Sequence, residues 1–162
     1  TMTSLLTFST SNSLPRWQPA TWDEYLQVRD RLPEGSASLF FNQGYLLVEM
    51  GEGIDHARLH SLMGLIFFIW FTQKSQAPFD ALNGCLMEKQ GQQAASPDLV
   101  LYVGEGFPQR QKGESRYLNL NKWRVPDLVG EVGDTSIATD LDEKKQLYAL
   151  LKIPEYWVVD AQ

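Results

Sequence analysis

Two segments of the sequence begin with the same four residues, PDLV, and both carry carboxylates in or beside a predicted strand. Asp98 stands in the first segment, PDLVLYVGE, and Asp127 in the second, PDLVGEVGDTS. The second segment also holds Glu131 in the middle of an otherwise apolar run. A buried carboxylate is costly, or becomes protonated, unless a positive charge compensates it. Glu131 therefore indicates a hard cation nearby.

The spacing of these carboxylates decides which of them can share a metal ion. Asp127 and Glu131 lie four residues apart on one strand, about 13 Å at about 3.3 Å per residue, which is too far for a single ion. Asp98 and Glu131 can bind the same ion if their strands are neighbours, because paired strands lie about 4.8 Å apart. Carboxylate oxygens suit Mg²⁺ and Mn²⁺. The sequence therefore predicts a site for Mg²⁺, or Mn²⁺, at Asp98 and Glu131.

A lysine falls on the apolar face of a predicted helix, DLDEKKQLYALLK. The seam of this helix is Leu141, Leu147, Tyr148 and Leu151. Lys144 lies three residues after the first of these and four before Tyr148, so it belongs to the seam. Such a lysine either extends out to solvent or directs its ammonium group at an anion, and the predicted carboxylate site is available. Asp140 precedes Lys144 by one helical turn and would either orient it or serve near the helix N-cap.

Two histidines, His56 and His60, stand at positions i and i+4 of another predicted helix, so both rings lie on one face. The same spacing occurs in the zinc-protease motif H-E-x-x-H. The string here is HARLH, with Ala57 in the place of the catalytic glutamate. The sequence thus disfavours zinc-protease chemistry, and we predict a structural role for His60.

Periodicity and turn residues predict the elements that must hold these side chains. Thr21 with Glu24 three residues later is a capping-box signature for a first helix. Two apolar runs around Asn42-Gln43-Gly44 predict a hairpin. Asp55 is predicted to cap a long helix, whose apolar seam comprises Leu59, Leu62, Met63, Ile66 and Trp70.

The second half of the chain alternates strands with a helix. LNGCLMEK, SPDLVLYV and PDLVGEV predict strands, Pro154 ends the helix that contains Lys144, and EYWVVD is a last strand rich in β-branched and aromatic residues. This order predicts an α/β (α+β) fold in which a mixed β-sheet is flanked by helices.

Length and composition predict one domain, residues 1–162, with residues 1–20 as a loose N-terminal arm. The longest apolar stretch, Leu62 to Trp70, is shorter than the roughly 20 residues that cross a bilayer, so we expect no membrane partner. One cysteine, Cys85, excludes an internal disulfide and fits a cytoplasmic location. We predict that it is a small core residue.

The net charge of −6 opposes non-specific nucleic-acid binding, which depends on cations that neutralise phosphates. A DNA partner would therefore need a local basic cluster such as Arg110, Lys112 and Arg116, a bound divalent metal, or dimerisation. Formation of a homodimer is an alternative that the sequence leaves open.

Several segments together resemble a known family. DHARLHSLM, ASPDLVLYVGE and PDLVGEVGDTSIATDLDEKKQLYALLKIPEYWVVD are similar to the Uma-type family of bacterial restriction endonucleases, whose core resembles the PD-(D/E)XK nuclease fold. The resemblance runs from about residue 35 to the C-terminus. It is most specific over residues 126–160, where PDLV-x-EV, D-x-x-x-K-x-x-x-Y and PEYW-x-VD follow one another in order.

This resemblance implies roles for individual residues. Asp98 takes the place of the PD aspartate, and Glu131 that of the acidic residue in (D/E)XK. Gly133 stands two residues after Glu131 where the nuclease motif has lysine, so the resemblance assigns that role to Lys144 on the next helix. It also assigns His56 a place near the site. Relatives continue with a further C-terminal hairpin, so C-terminal elements are expected to be missing from this sequence.

The function implied by the resemblance is metal-dependent endonuclease cleavage of DNA phosphodiester bonds, with Mg²⁺ or Mn²⁺ as cofactor and DNA as substrate. Two alternatives stay open beside it. One is a catalytically inactive nuclease fold that binds nucleic acid or another protein as an accessory module, which the acidic composition favours. The other is an accessory protein of a mobile element or toxin system whose nuclease works only with partners.

Overall fold

The computed structural model describes residues 15–33, 35–51, 53–133 and 140–161. Its α-helices are α1 (Trp22–Arg31), α2 (Ile54–Trp70) and α3 (Lys145–Leu150). A π-helical turn, Phe71–Ser75, follows α2, and another, Asp140–Lys144, leads into α3. Among the described residues, no helix combines the length and apolar character that a membrane span requires.

The strands divide between two sheets. In spatial order, the six-stranded sheet consists of β1 (Gln18–Pro19), β3 (Tyr45–Met50), β2 (Ala37–Asn42), β6 (Gln93–Ala95), β5 (Met87–Lys89) and β8 (Leu118–Asn119). The four-stranded sheet consists of β10 (Glu155–Asp160), β9 (Leu128–Gly133), β7 (Leu99–Val103) and β4 (Phe79–Asn83). Each sheet contains one parallel pair, β5 with β8 and β9 with β10, among antiparallel ones. The predicted mixed α+β class is confirmed, with two sheets where one was expected.

Local signals in the sequence account for the first elements. The Thr21 hydroxyl accepts a hydrogen bond from the Glu24 amide at 3.2 Å, and the Glu24 carboxylate accepts one from the Thr21 amide at 2.7 Å. This reciprocal capping box starts α1 as predicted. Gln43 and Gly44 have φ angles of +49° and +81°, which suit a tight hairpin between β2 and β3.

Three predicted boundaries differ from the structure. The predicted loose arm extended to residue 20, but Gln18 and Pro19 pair with β3; residues 1–14 lie outside the described part of the chain. Gly53, and not Asp55, is the N-cap of α2, and Asp55 instead forms an ion pair with Arg58 at 2.7 Å.

The third difference concerns LNGCLMEK, which was predicted as one strand but is divided between β4 and β5. Gly84 separates the two strands with φ of +60°, a conformation that favours glycine. Its amide donates to the Asp98 carbonyl at 3.0 Å. The break in the strand therefore anchors the backbone of Asp98, directly before β7.

The four-stranded sheet is covered on both faces. On one face, α2 packs through Met63 and Phe67 against Leu99, Leu101, Leu128 and Val132. On the other face, Val100, Tyr102 and Val129 pack with α3 and with residues of the six-stranded sheet, including Phe40 and Leu47. This alternation along β7 follows from the two-residue period of a strand. The four-stranded sheet thus lies between α2 on one face and α3 with the six-stranded sheet on the other.

The predicted seam of α2 was wrong in most of its members. Met63 is buried and Leu59 half-buried as expected, but Leu62, Ile66 and Trp70 are exposed, and Phe67 is buried in their place. Gly130 explains why Met63 comes close to the sheet, since a Cβ at Gly130 would lie 2.8 Å from the Met63 Cε. Gly130 therefore allows α2 to pack closely against β9 beside Glu131.

Candidate active site

Asp98 and Glu131 lie opposite each other across two neighbouring strands. β7 and β9 are antiparallel, and Leu99 pairs with Gly130, so the next position outward brings Asp98 opposite Glu131. Both carboxylates are buried, with 7% and 3% of their surface exposed. The Val132 amide donates to Asp98 Oδ2 at 2.7 Å and so holds Asp98 against β9. Asp98, directly before β7, thus stands opposite Glu131 of the adjacent β9, as the predicted shared metal site requires.

His56 reaches the same carboxylate from the first turns of α2. Its Nε2 lies 3.0 Å from Asp98 Oδ2. Asp98 Oδ2 therefore contacts both the backbone of β9 and the imidazole of His56. The structure brings His56 to the position that the family resemblance implied, next to the buried aspartate.

The environment of Asp98 opposes its ionisation. Burial raises the pKa of the Asp98 carboxyl above its ordinary value. The hydrogen bond from Val132 and the charges of His56 and Lys144 act in the opposite direction but do not cancel the effect. A cation bound next to Asp98 would relieve this cost.

Lys144 points inward, and only 1% of its surface is exposed. Its ammonium group donates to Glu131 Oε2 at 3.2 Å and to Glu49 Oε2 at 2.9 Å. The nitrogen also lies 4.0 Å from the centre of the Phe40 ring, a favourable cation–π position. The helical seam placed Lys144 on the inner face, and its ammonium group does face an acidic residue of the site. The orienting role predicted for Asp140 concerns a side chain outside the described residues.

Glu49 was not identified from the sequence. It lies near the end of β3, on the six-stranded sheet, opposite Ser38 of β2. The available signal was strand alternation, since Glu49 follows the fully buried Leu47 by two residues and so shares its face. Lys144 thus bridges two carboxylates that come from different sheets.

Tyr148 holds the second oxygen of Glu131. Its hydroxyl donates to Glu131 Oε1, while Lys144 contacts Oε2. Burial first, and the charge of Glu131 next, raise the pKa of Tyr148 well above its ordinary value, so the hydroxyl keeps its proton at neutral pH. From the sequence, Tyr148 was expected only to pack in the helix seam. It does pack there, with its ring centre 4.9 Å from that of Tyr156.

We expect Tyr148→Phe to lower the free energy of unfolding by about 1.5–3 kcal/mol, the usual value of a hydrogen bond to a charged group. The ring would keep its packing, but Glu131 Oε1 would lose the hydrogen bond from the Tyr148 hydroxyl. Urea denaturation followed by circular dichroism measures this change. Tyr45→Phe is the control because the Tyr45 ring is about half exposed at 49%. Equal losses in the two variants would show that the Glu131 contact contributes nothing.

These side chains line one cleft of about 340 Å³, whose wall includes Glu49, His56, Asp98, Glu131 and Lys144. Three carboxylates and one ammonium group thus face the same small volume. This excess of buried oxygen donors suits a hard divalent cation, which oxygen ligands bind best. The donor set therefore fits the Mg²⁺ or Mn²⁺ that the sequence predicted.

Asp127, the second aspartate that follows proline, lies outside this cleft. Its Oδ2 accepts hydrogen bonds from the Val103 amide at 2.7 Å and from Arg124 at 2.9 Å. It therefore serves as a turn and strand-end residue, and its place outside the cleft agrees with the spacing that excluded a metal ion shared with Glu131. Cys85 is half-buried and packs beside the core, close to the prediction of a small core residue.

The fold and the site together describe a mixed α+β protein with a buried acidic cleft. Two acidic residues meet on adjacent strands of a mixed sheet, and a lysine on the following helix contacts one of them. A solved structure with a similar fold is described as a putative nuclease belonging to DUF820 from Anabaena variabilis. The two match with a TM-score of 0.61 and 19% identity, over 88% of this chain and 74% of that one, which shows a shared fold.

The family follows from a second comparison. Residues 22–162 match the model of the Uma2 family, described as "Putative restriction endonuclease", and the chain belongs to this family. The resemblance predicted from the ordered motifs is thereby confirmed. A comparison with curated proteins finds no match.

Proposed function

We propose that this protein is a metal-dependent endonuclease that hydrolyses phosphodiester bonds of DNA. One observation carries the proposal: Asp98, Glu131 and Lys144 converge on a single cleft from two strands and a helix. Each is almost fully buried. Burial of charged side chains costs desolvation free energy, so their interior position supports a functional role. Membership of a restriction endonuclease family supports the same reaction.

Asp98 and Glu131 would hold Mg²⁺ or Mn²⁺, and Glu49 offers a third carboxylate at the same cleft. When bound, such an ion polarises a phosphate and lowers the pKa of a coordinated water. The protein supplies the oxygen donors in a fixed arrangement, since the Val132 amide restrains Asp98 and the Tyr148 hydroxyl restrains Glu131.

The remaining groups of the cleft would act on the substrate. The Lys144 ammonium group would stabilise the negative charge that develops on a phosphate as water attacks it. His56 would orient Asp98 or contact a neighbouring phosphate, since its ring already adjoins the carboxylate. These roles need no movement of the backbone, because the side chains already share the cleft.

Because the net charge is −6, a bound metal ion would contribute to DNA binding as well as to catalysis. A divalent cation in the cleft would offset the repulsion between its carboxylates and the phosphates. We propose with this function a cytoplasmic location and a single nuclease-like domain.

A plasmid-nicking assay tests the proposal. Protein freed of metal with EDTA is added to supercoiled plasmid, and Mg²⁺ or Mn²⁺ is then supplied. We expect nicking only with the metal, and a loss of more than about a hundredfold in Glu131→Gln, since even groups that merely support a metal ligand are worth roughly 10- to 100-fold. Glu143→Gln is the matched control, because Glu143 is exposed and close in sequence to Lys144.

Two results would contradict the proposal. Nicking that survives unchanged in Glu131→Gln would identify a contaminating nuclease. Absence of nicking with either metal, on both double- and single-stranded DNA, would favour the inactive binding module, and a gel-shift assay with the same DNA would then test that alternative.

A further inference from the structure

The two histidines of the chain meet the buried aspartate from one face of α2. His56 and His60 lie one helical turn apart, and their ring centres are 6.3 Å from each other. One ligand atom each from His56, His60 and Asp98 can be chosen so that all three lie within 4.8 Å of one another. His60 was expected to have a structural role only, and it does not line the main cleft.

His60 has a feature that a purely structural histidine rarely shows. Its Nε2 is buried, and it has no hydrogen-bond partner among the residues that the structure describes. Buried polar atoms in proteins are nearly always paired, so an unpaired ring nitrogen calls for an explanation. A bound cation would supply the missing partner, because a neutral imidazole nitrogen offers a lone pair to metals.

We propose that His56, His60 and Asp98 form a binding site for a divalent transition-metal ion of the zinc type. This site goes beyond the proposed function. The two share Asp98, which also belongs to the proposed Mg²⁺ position. Imidazole nitrogens suit zinc and its neighbours, whereas Mg²⁺ prefers oxygen ligands and keeps its water. The donor sets of the two positions thus select different ions.

The observed distances suit such an ion after a small adjustment. Zinc binds nitrogen and carboxylate oxygen at about 2.0–2.2 Å, which sets neighbouring ligand atoms roughly 3.0–3.5 Å apart. His56 Nε2 and Asp98 Oδ2 already lie 3.0 Å apart. The separations from the His60 ligand atom to the other two, which lie within 4.8 Å, would close through side-chain rotation of His60. Three protein ligands leave a fourth position open for water or substrate.

The spacing of the two histidines adds a geometric reason. Residues at i and i+4 on a helix project from the same face, so both rings can reach one ion without distortion of α2. Asp98 is fixed by the Val132 amide, which leaves the helix side chains to adapt. The site therefore combines one rigid ligand with two adjustable ones.

Calorimetric titration of untagged, EDTA-treated protein with Zn²⁺ tests the proposal in the absence of DNA. We expect one equivalent to bind, and His60→Gln to weaken binding by at least about tenfold through loss of one of three ligands. Glu131→Gln is expected to bind Zn²⁺ like the wild type while it loses nicking. Cys85→Ser is a second control, because Cys85 is the chain's single thiol, and we expect it to leave binding unchanged.

Magnetic resonance of the histidine rings provides a measurement on the unmodified chain. Because the chain has two histidines, both ring signals should shift when Zn²⁺ is added, whereas the His60 signal should stay unchanged with Mg²⁺, since His60 does not line the main cleft. The proposal would be overturned if a folded His60→Gln variant bound Zn²⁺ with wild-type affinity, or if the ring signals did not shift when Zn²⁺ is added. Neither readout requires nuclease activity, so the failure of this inference and that of the proposed function are distinguishable.

Discussion

Replacement of Lys144 by methionine is expected to lower the free energy of unfolding by about 3–5 kcal/mol, the usual cost of removing one partner from a buried ion pair. Methionine would fill the space of the lysine chain without its charge. Glu131 and Glu49 would then face each other without the ammonium group that now contacts both at 3.2 Å and 2.9 Å. Urea denaturation near neutral pH, followed by circular dichroism, measures the loss.

The neighbouring lysine provides a matched control. Lys145 is exposed, and Lys145→Met should change stability by no more than about 0.5 kcal/mol. If the ammonium group of Lys144 stabilises the carboxylates, adding Glu131→Gln to Lys144→Met should restore part of the loss, since the two positions are coupled. Equal stability of the two methionine variants would show that Lys144 is not an interior charge.

Asp98→Asn is expected to reduce metal-dependent nicking by more than about a hundredfold, because the amide cannot supply the negative charge of a metal ligand. The substitution keeps the size of the side chain, and an amide oxygen can still accept the hydrogen bond from the Val132 amide. The loss should therefore reflect the charge and not the shape. The plasmid assay measures it directly.

The same substitution is expected to stabilise the metal-free protein. Burial raises the pKa of Asp98 in the folded state above its value in the unfolded chain, so ionisation of this group disfavours folding. The penalty is fully present above the folded-state pKa and declines to nothing as the pH falls from that pKa to below the lower pKa of the unfolded chain. Asp98→Asn should consequently melt at a higher temperature than the wild type at about pH 7, with a difference that shrinks towards about pH 4. Thermal melts in EDTA across this range test the expectation.

Addition of Mg²⁺ should reverse the order of stability. An ion that binds the folded protein raises its melting temperature, and this gain should occur in the wild type and be lost in Asp98→Asn. Asp127→Asn is the control, since Asp127 also follows a proline but contacts Val103 and Arg124 outside the cleft. An equal Mg²⁺ response in wild type and Asp98→Asn would remove Asp98 from the metal site.

Parts of the fold could be predicted because they depend on a few consecutive residues. The capping box at Thr21, the hairpin turn at Gln43 and Gly44, and the final strand all form where the sequence predicted them. Each depends on interactions across a turn or a short segment, so its signal lies within a window of a few residues. The inward position of Lys144 belongs to the same class, since helical period alone placed it on the apolar face.

The buried face of α2 could not be predicted in this way. The helix is apolar on nearly all sides, so its period favours no single face. The predicted seam placed Ile66 and Trp70 in the core, whereas both are exposed and Phe67 is buried. The choice depends on the partner surface, where Gly130 leaves room for Met63. A property of β9 therefore decides how a helix far away in the sequence is rotated.

The sequence by itself determined that Glu131 and Lys144 would stand among apolar residues, because an apolar run and a helical period are local properties, and its ordered motifs singled out Asp98. Only the tertiary structure decided which of these charges meet and what else joins them. Glu49 reaches Lys144 from the other sheet, and His60 approaches Asp98 from α2. Such contacts depend on how sheets and helices pack, which no short stretch of sequence encodes.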